Sequence, residues 1–222
     1  MTSRKLEQDT WDAYNKFHFL CDTSRFQKLF VRLELFRLIQ DLPGDIVDAG
    51  SFKGISAIQF AHMLKAYRPH SLSKVLTCDT FVSEFPLLRE HERHGNTQLS
   101  QAFDPKAHET LLAAIERLQL KDRIDILKGD IVETLRSHVQ ENPGFRVSLL
   151  HCDLDAYEPT LHTLRTIWPR IVPGGVVIFD EYAIGMWGES DAVDEFFATL
   201  PKQPRMRTLQ IGPTPTAYCI KE

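Results

Sequence analysis

Residues 151–158, HCDLDAYE, place three carboxylates within six positions: Asp153, Asp155 and Glu158. They follow FRVSLL, a run apolar enough to be a buried strand, and Asp180 and Glu181 follow VVIF in the same way. Carboxylates repel one another and resist burial. A buried strand that runs straight into them needs water or a positive charge at its end. Asp153, Asp180 and Glu181, read as having no lysine nearby, suit a hard divalent cation such as Mg2+, which takes oxygen ligands in an octahedral shell and keeps waters. The plainer alternative is that these acids are solvated. Asp155 then caps the helix that starts near Pro159, and Glu158 favours its N-terminus through the helix dipole.

A second set of residues suits a nucleoside. DAGSFKG, residues 48–54, reads as strand, glycine turn and helix. Gly50 permits a tight turn and close approach of a ligand, and Gly54 lets the helix or a ligand pack close. The stretch is not GxGxxG, which weakens a pyrophosphate reading. Asp79 ends a second strand, where an acid accepts hydrogen bonds from ribose hydroxyls and would repel a 2′-phosphate. Gly129 and Asp130 end a third strand. They read equally as neighbours of an adenine edge and as an N-cap for the next helix. His151 reads as a core histidine, and His91 and His94 as part of a solvated loop. Trp187 either stacks on a sugar ring or packs in the core.

The elements that must position these residues can be read from apolar periodicity. Helical spacing runs from Thr23 to Leu42 and ends at Pro43-Gly44. Strands are expected at DIVDAG, KVLTCDTF, RIDILKGD, FRVSLLHCD and VVIFDEY, the last after a Pro173-Gly174-Gly175 turn. Helices are expected between them: SFKGISAIQFAHMLKAY, Pro105–Leu120 with Asp104 as N-cap, IVETLRSHVQEN, PTLHTLRTIWPRI, and SDAVDEFFATL capped by Ser190. Residues 82–104 read as an irregular loop that shapes a substrate pocket, and RTLQI and TAYCIKE as two closing strands. Strand and helix alternate, so the expectation is one α/β domain over residues 1–222 with a mostly parallel sheet and helices on both faces. An N-terminal helical segment, 1–42, either covers the sheet or forms a homo-oligomer contact through Trp11, Tyr14, Phe17 and Phe19. Ligands bind outside the carboxyl ends of the strands in such sheets, which is where Asp48, Asp79, Asp130, Asp153 and Asp180 fall.

The 222 residues carry a net charge of −4, which argues against a general nucleic-acid or membrane-surface binder. No apolar run approaches the ~20 residues that a membrane span needs, and the polar start MTSRKLEQDTWDAYNKF does not read as a signal peptide. Four scattered cysteines without a CxxC pair read as reduced thiols in a cytoplasmic protein.

Taken together, PGDIVDAGSFKG, CDTFVSEFP, LKGDIVETL, HCDLDAYEPTLHTL, IWPRIVPGGVVIFDEY and DAVDEF resemble the macrocin O-methyltransferase family, metal-dependent sugar methyltransferases that use S-adenosylmethionine. The resemblance runs from about Arg25 to Tyr182 and on into SDAVDEFF. It implies the class I methyltransferase fold, here a seven-stranded sheet with an antiparallel last strand. It implies that Gly50, Ser51 and Gly54 contact the methionine part of S-adenosylmethionine, that Asp79 holds the ribose, and that Gly129-Asp130 lie by the adenine. Asp153, Asp180 and Glu181 would hold Mg2+, and Asp153 would also take the proton from the acceptor, a hydroxyl of a sugar or small diol. The chain departs from the family in having Asp153-Leu154-Asp155 for Asp-Gly-Asp and Asp180-Glu181-Tyr182 for Asp-Asp-Tyr. An NAD-linked oxidoreductase is the main alternative, but it would want GxGxxG and a Tyr-Lys pair, and neither is found. A cofactor-binding module without catalysis is the other.

Overall fold

The computed structural model describes residues 3–83 and 88–222, with the side chains of residues 3–6 and Leu99 outside the description. Six strands form one sheet in the order β3-β2-β1-β4-β5-β6: β1 (Asp45–Ala49), β2 (Val75–Asp79), β3 (Ile124–Lys128), β4 (Val147–Cys152), β5 (Ile171–Phe179) and β6 (Ala217–Ile220). All pairs are parallel except β5 with β6. The central strands are buried on both faces. Ile46, Val47, Ala49, Leu149 and Leu150 are fully enclosed, which is why these strands read as continuous apolar runs rather than alternating ones.

One face of the sheet packs on α2 (Thr23–Arg37), α3 (Ile55–Tyr67) and α5 (Ala107–Arg117), through Leu35, Phe36, Phe60, Leu64 and Leu111. The other packs on α6 (Ile131–Glu141), α7 (Tyr157–Ile167) and α8 (Glu189–Ala198), through Leu135, Leu161, Leu164, Phe196 and Phe197. The first of these layers runs back from β1 through β2 to β3. The chain then crosses to β4 and builds outward on the other side. The order therefore reverses between β1 and β4, and a crevice opens at their carboxyl ends.

Several local expectations need correction. The sheet has six strands among the described residues, not seven: RTLQI contributes only a single bridge, from Arg207 to Tyr218. The 82–104 stretch is not wholly irregular, since α4 (Glu92–Gln101) forms within it; residues 84–87 lie outside the description. The helix expected from Pro105 starts at Ala107, because Asp104 bonds the amide of Lys106 at 2.9 Å and spends a turn on the entry. Ser190 does not cap α8: its hydroxyl accepts from the amide of Ala183, and the helix begins at Glu189. The Pro-Gly-Gly run lies inside β5, where the register with β4 shifts. The first helix ends at Arg37, with a turn filling the rest to Asp41. Ahead of it stands α1 (Ser3–Leu20), whose side chains from residue 7 onward all face solvent, so α1 does not cover the sheet.

Candidate functional site

Four of the parallel strands, β1, β3, β4 and β5, are each extended by one backbone hydrogen bond past their ends. Gly50 N donates to Cys78 O, Gly129 N to Asp79 O, Asp153 N to Ala49 O and Asp180 N to Cys152 O, all at 2.9–3.0 Å. The residues that leave the sheet are therefore held as firmly as the sheet itself. Gly50 has φ +88°, and a side chain there would fall on the carbonyl oxygen of Asp153. Only glycine lets the β1 and β4 ends approach this closely.

Over these ends lies a cavity of about 390 Å³. One end is lined by Gly50, Phe52, Asp79, Gly129, Asp130 and Val132, the other by Lys28, Asp153, Asp155 and Glu181. Four of the residues expected to bind the cofactor, Gly50, Asp79, Gly129 and Asp130, thus share one cavity with Asp153 and Glu181 of the acid set. Asp79 accepts the amides of Phe81 and Phe52, each at 2.7 Å and each on a different oxygen. One lone pair per oxygen is left for a ligand. Burial pushes the Asp79 carboxyl up, and the two amides pull it back. Asp130 caps α6 by accepting from Val132 N at 2.9 Å, so the plainer of its two readings is met, and it lines the cavity as well. Ser51 and Gly54 do not line the cavity. Ser51 is buried, with its hydroxyl unpartnered among the described residues, and a side chain on Gly54 would meet Leu111 of α5. Gly54 serves helix packing.

The acidic end is crowded. Ligating oxygens of Asp153, Asp155 and Glu181 lie within 4.8 Å of one another, and Asp153 falls in a second such group with His151 and Asp180. Burial and the neighbouring Asp180 push Asp153 up to about 6; burial and Asp153 push Asp155 up to about 8. Burial, then Asp153 and Asp180, drive Glu181 upward too, and burial does the same to the enclosed Glu189 that accepts the Glu181 amide. One oxygen each of Glu181 and Glu189 has no hydrogen-bond partner among the described residues. Groups that would rather hold protons, with lone pairs left over, fit a divalent cation well.

Asp180 stands apart from this trio. It is fully buried, makes an ion pair with Lys28 at 2.7 Å, and has its other oxygen 3.8 Å from His151 Nε2. Burial alone would raise its pKa, but His151 and Lys28 overcome that and hold it well below the usual range. The reading that no lysine is near is therefore corrected: Lys28 reaches across from α2. His151 is buried as expected, with Nδ1 2.8 Å from Asp48. Asp48 also accepts from Ser56 and Thr77. Burial works against a charge on His151, and the facing Asp180 and Asp48 carboxylates outweigh it and raise its pKa.

Sequence reading missed Lys28, Arg32, Asp155 as a member of the trio, and the carboxylates Glu92 and Glu189. Arg32 is buried, bonds Gln59 at 3.0 Å and stands 4.0 Å from Asp153. The signal for the pair was present: Lys28 and Arg32 lie four apart on a helix whose other inward positions are apolar. Glu92 carried no such signal. It is fully buried and accepts the amides of Tyr157, at the start of α7, and Arg89, thereby joining α4 to the loop that carries Asp155. His91 and His94 are exposed, as expected, but His94 lies on α4 rather than in a loop. Trp187 packs on Gly95 of α4 and is absent from the cavity lining.

Comparison with known proteins places this geometry. A relative from Streptomyces olivaceus, 8-demethyl-8-(2,3-dimethoxy-alpha-L-rhamnosyl)-tetracenomycin-C 4'-O-methyltransferase, is 29% identical over 73% of this chain and 66% of its own length. Mycinamicin III 3''-O-methyltransferase of Micromonospora griseorubida is 29% identical over 64% of this chain and 57% of its own. The chain thus spans just under two thirds of the length of these curated relatives, or less. The crystal structure of a calicheamicin methyltransferase superposes with a TM-score of 0.76 at 26% identity, covering 95% of this chain and 85% of that one. Its apo form, described as a TDP-rhamnose 3'-O-methyltransferase, gives 0.72. These matches bear out the resemblance to the macrocin O-methyltransferases. The model of the methyltransferase domain matches residues 47–182, from the middle of β1 to just past the acids after β5, and the chain belongs to that methyltransferase domain family.

Proposed function

We propose that this protein transfers a methyl group from S-adenosylmethionine to a hydroxyl of a sugar or small diol, with Mg2+ in the acidic end of the cavity. The observation that carries this reading is the two-ended cavity: a nucleoside-type edge at Gly50, Asp79 and Gly129 faces a close trio of carboxylates, Asp153, Asp155 and Glu181, of which Glu181 keeps an unpartnered oxygen among the described residues. The relatives' names, which specify methylated rhamnosyl, mycinamicin and TDP-rhamnose hydroxyls, support the acceptor class.

S-Adenosylmethionine would supply an electrophilic methyl on a sulfonium. Asp79 would accept the ribose hydroxyls through its two remaining lone pairs, and Gly129 and Asp130 would border the adenine. Gly50, with no side chain, would leave room for the methionine part where β1 meets β4. Asp153, Asp155 and Glu181 would hold Mg2+, which would act as a Lewis acid on the acceptor hydroxyl. Asp180, paired with Lys28, lies next to Asp153 and would be a further oxygen within the cation's reach. Aligning acceptor and donor in this cavity can itself be worth ~7–11 kcal/mol. The sulfonium would give its methyl to the acceptor oxygen and leave as the thioether, and a carboxylate of this chain would take the hydroxyl proton. Asp153 and Asp155 both border the cavity and both hold protons more tightly than free carboxylates, which suits a base at this point.

Calorimetric titration with S-adenosylmethionine and S-adenosylhomocysteine, with and without Mg2+ and with NADH as control, tests the reading. Micromolar binding of both methyl cofactors, and Mg2+ binding that fails in Asp153→Ala, is expected. Binding of NADH alone would replace it with an oxidoreductase.

A further inference from the structure

The acidic end of the cavity already holds a positive charge, and it comes from outside the matched methyltransferase segment. Lys28 lies on α2, ahead of residues 47–182, yet its ammonium lies 2.7 Å from Asp180. It borders the same cavity as Asp153, Asp155 and Glu181. Asp180 is fully enclosed, and its second oxygen has no hydrogen-bond partner among the described residues. Removing a charge partner from a carboxylate at that depth is strongly unfavourable. Arg32, one turn further along α2, cannot take over, because Gln59 holds it and it faces Asp153 at 4.0 Å. Lys28 is the mobile member of the pair. Its side chain keeps 26% exposure on a flexible stem, so the ammonium can withdraw from Asp180 toward the cavity mouth.

We propose that Lys28 is a resident counter-ion of the acidic site: it competes with a divalent cation for Asp180 and thereby sets how tightly the site takes that cation. This rests on the metal reading given above. With the cation absent, Lys28 compensates Asp180 and lets the acid cluster stay folded. With the cation present, Asp180 gains a second positive neighbour and the ammonium is the weaker claimant, being singly charged. The N-terminal helical segment would then tune a site whose oxygen ligands all come from the methyltransferase segment.

Mn2+ is the probe, since its free and bound forms differ in paramagnetic resonance and no turnover is needed. Titrations would use the full chain without cofactor or acceptor, as wild type, Lys28→Gln and Lys28→Arg. Lys28→Gln is expected to bind Mn2+ about tenfold more tightly or better, the order set by losing one unit charge a few ångströms away, and Lys28→Arg to stay within about threefold of wild type. Metal-free Lys28→Gln is expected to melt below wild type and to gain more from Mg2+. Wild type that binds Mn2+ while folded Lys28→Gln binds it no better overturns this proposal and leaves the metal reading standing. Failure of both folded proteins to bind Mn2+ overturns both. Should Lys28→Gln not fold, reductive methylation of the unmutated chain decides: Lys28 is expected to label severalfold faster at saturating Mg2+, and an unchanged rate overturns the proposal.

Discussion

The two ends of the cavity are built on opposite principles. At the β1–β3 end the polar work is done by backbone: Asp79 and Asp130 each hold loop or helix amides, and the glycines at 50 and 129 keep side chains out of the way. At the β4–β5 end the work is done by side-chain charge. Five carboxylates gather there: Asp153, Asp155, Asp180, Glu181 and Glu189. Among the described residues, Asp180 has the one short ion pair of the five, with Lys28, and Arg32 approaches Asp153 only to 4.0 Å. At the first end each acid is anchored by an amide of the fold, while at the second buried carboxylate oxygens wait for a cation or protons. A shape formed by hydrogen bonds waits unchanged for its ligand, whereas a shape formed by repulsion changes with pH and metal.

The sharpest way to break that contrast is at Asp153. Asp153→Asn is expected to lower methyl transfer by about three orders of magnitude, as loss of both a ligand and a candidate base would. Without metal the same variant should be as stable as wild type or more so, because it relieves repulsion from Asp180. Thermal melts with and without Mg2+ alongside turnover would show this; a variant that melts lower in EDTA would mean that Asp153 is satisfied in the free protein.

Gly50→Ala comes next, because Gly50 joins the two ends. A side chain there collides with the Asp153 carbonyl at a φ that favours glycine, so we expect a stability loss of about 2–4 kcal/mol. Cofactor and metal binding should fall together. Independent loss of one would mean that the ends are not mechanically joined.

The pH response separates the ends without mutation. Asp153 and Asp155 have folded pKa values of about 6 and 8, above those of free carboxylates. A carboxyl raised on folding binds protons better in the native state. Metal-free stability should therefore fall as pH rises from about 4 toward 8. The raised His151 acts in the same direction across the upper part of that window, while the depressed Asp180 adds stability that is lost only on acidification below it. Saturating Mg2+ should reverse the slope, since it needs the deprotonated acids. Melting temperatures from pH 5 to 8 in EDTA and in Mg2+ would diverge with rising pH.

The same contrast explains what could be read from the sequence. Strand runs such as DIVDA and VSLLHC, the glycine turn and the strand-end acids are local signals, and they predicted the parallel sheet, its crevice and the strand-end residues that line it: Gly50, Asp79, Gly129, Asp130, Asp153 and Glu181. The closing strand failed because RTLQI has the residues of a strand but makes only one bridge. Helix α4 was hidden because ERHGNTQLSQ has few apolar residues, and its anchor, Glu92, is a carboxylate that looks like surface. Lys28 and Glu189 became site residues through packing of distant elements, a relation that no spacing within HCDLDAYE or FDEY encodes. The distinction between Asp155 in the trio and Asp180 behind it depends on Asp155 turning at φ +59°, which a non-glycine residue does not announce.

Asp79→Ala should affect one end alone. Loss of hydrogen bonds to a charged group predicts a cofactor affinity roughly ten- to a hundredfold weaker, with Mn2+ binding unchanged. A fall in metal affinity as well would dissolve the division into two ends.

The smallest effect is expected at Asp130, and it decides how far the backbone-built end extends. Asp130 caps α6 through Val132 N, and replacing a good N-cap by alanine costs about 1 kcal/mol. Asparagine caps equally well, so Asp130→Asn should leave the melting temperature where it is while Asp130→Ala lowers it. If Asp130 serves the helix first, both variants should bind S-adenosylhomocysteine within about threefold of wild type once folded, a difference of well under 1 kcal/mol. A common tenfold loss in both would instead show that the carboxylate charge meets the cofactor directly, and the β3 end would then resemble the acidic end in relying on a side chain.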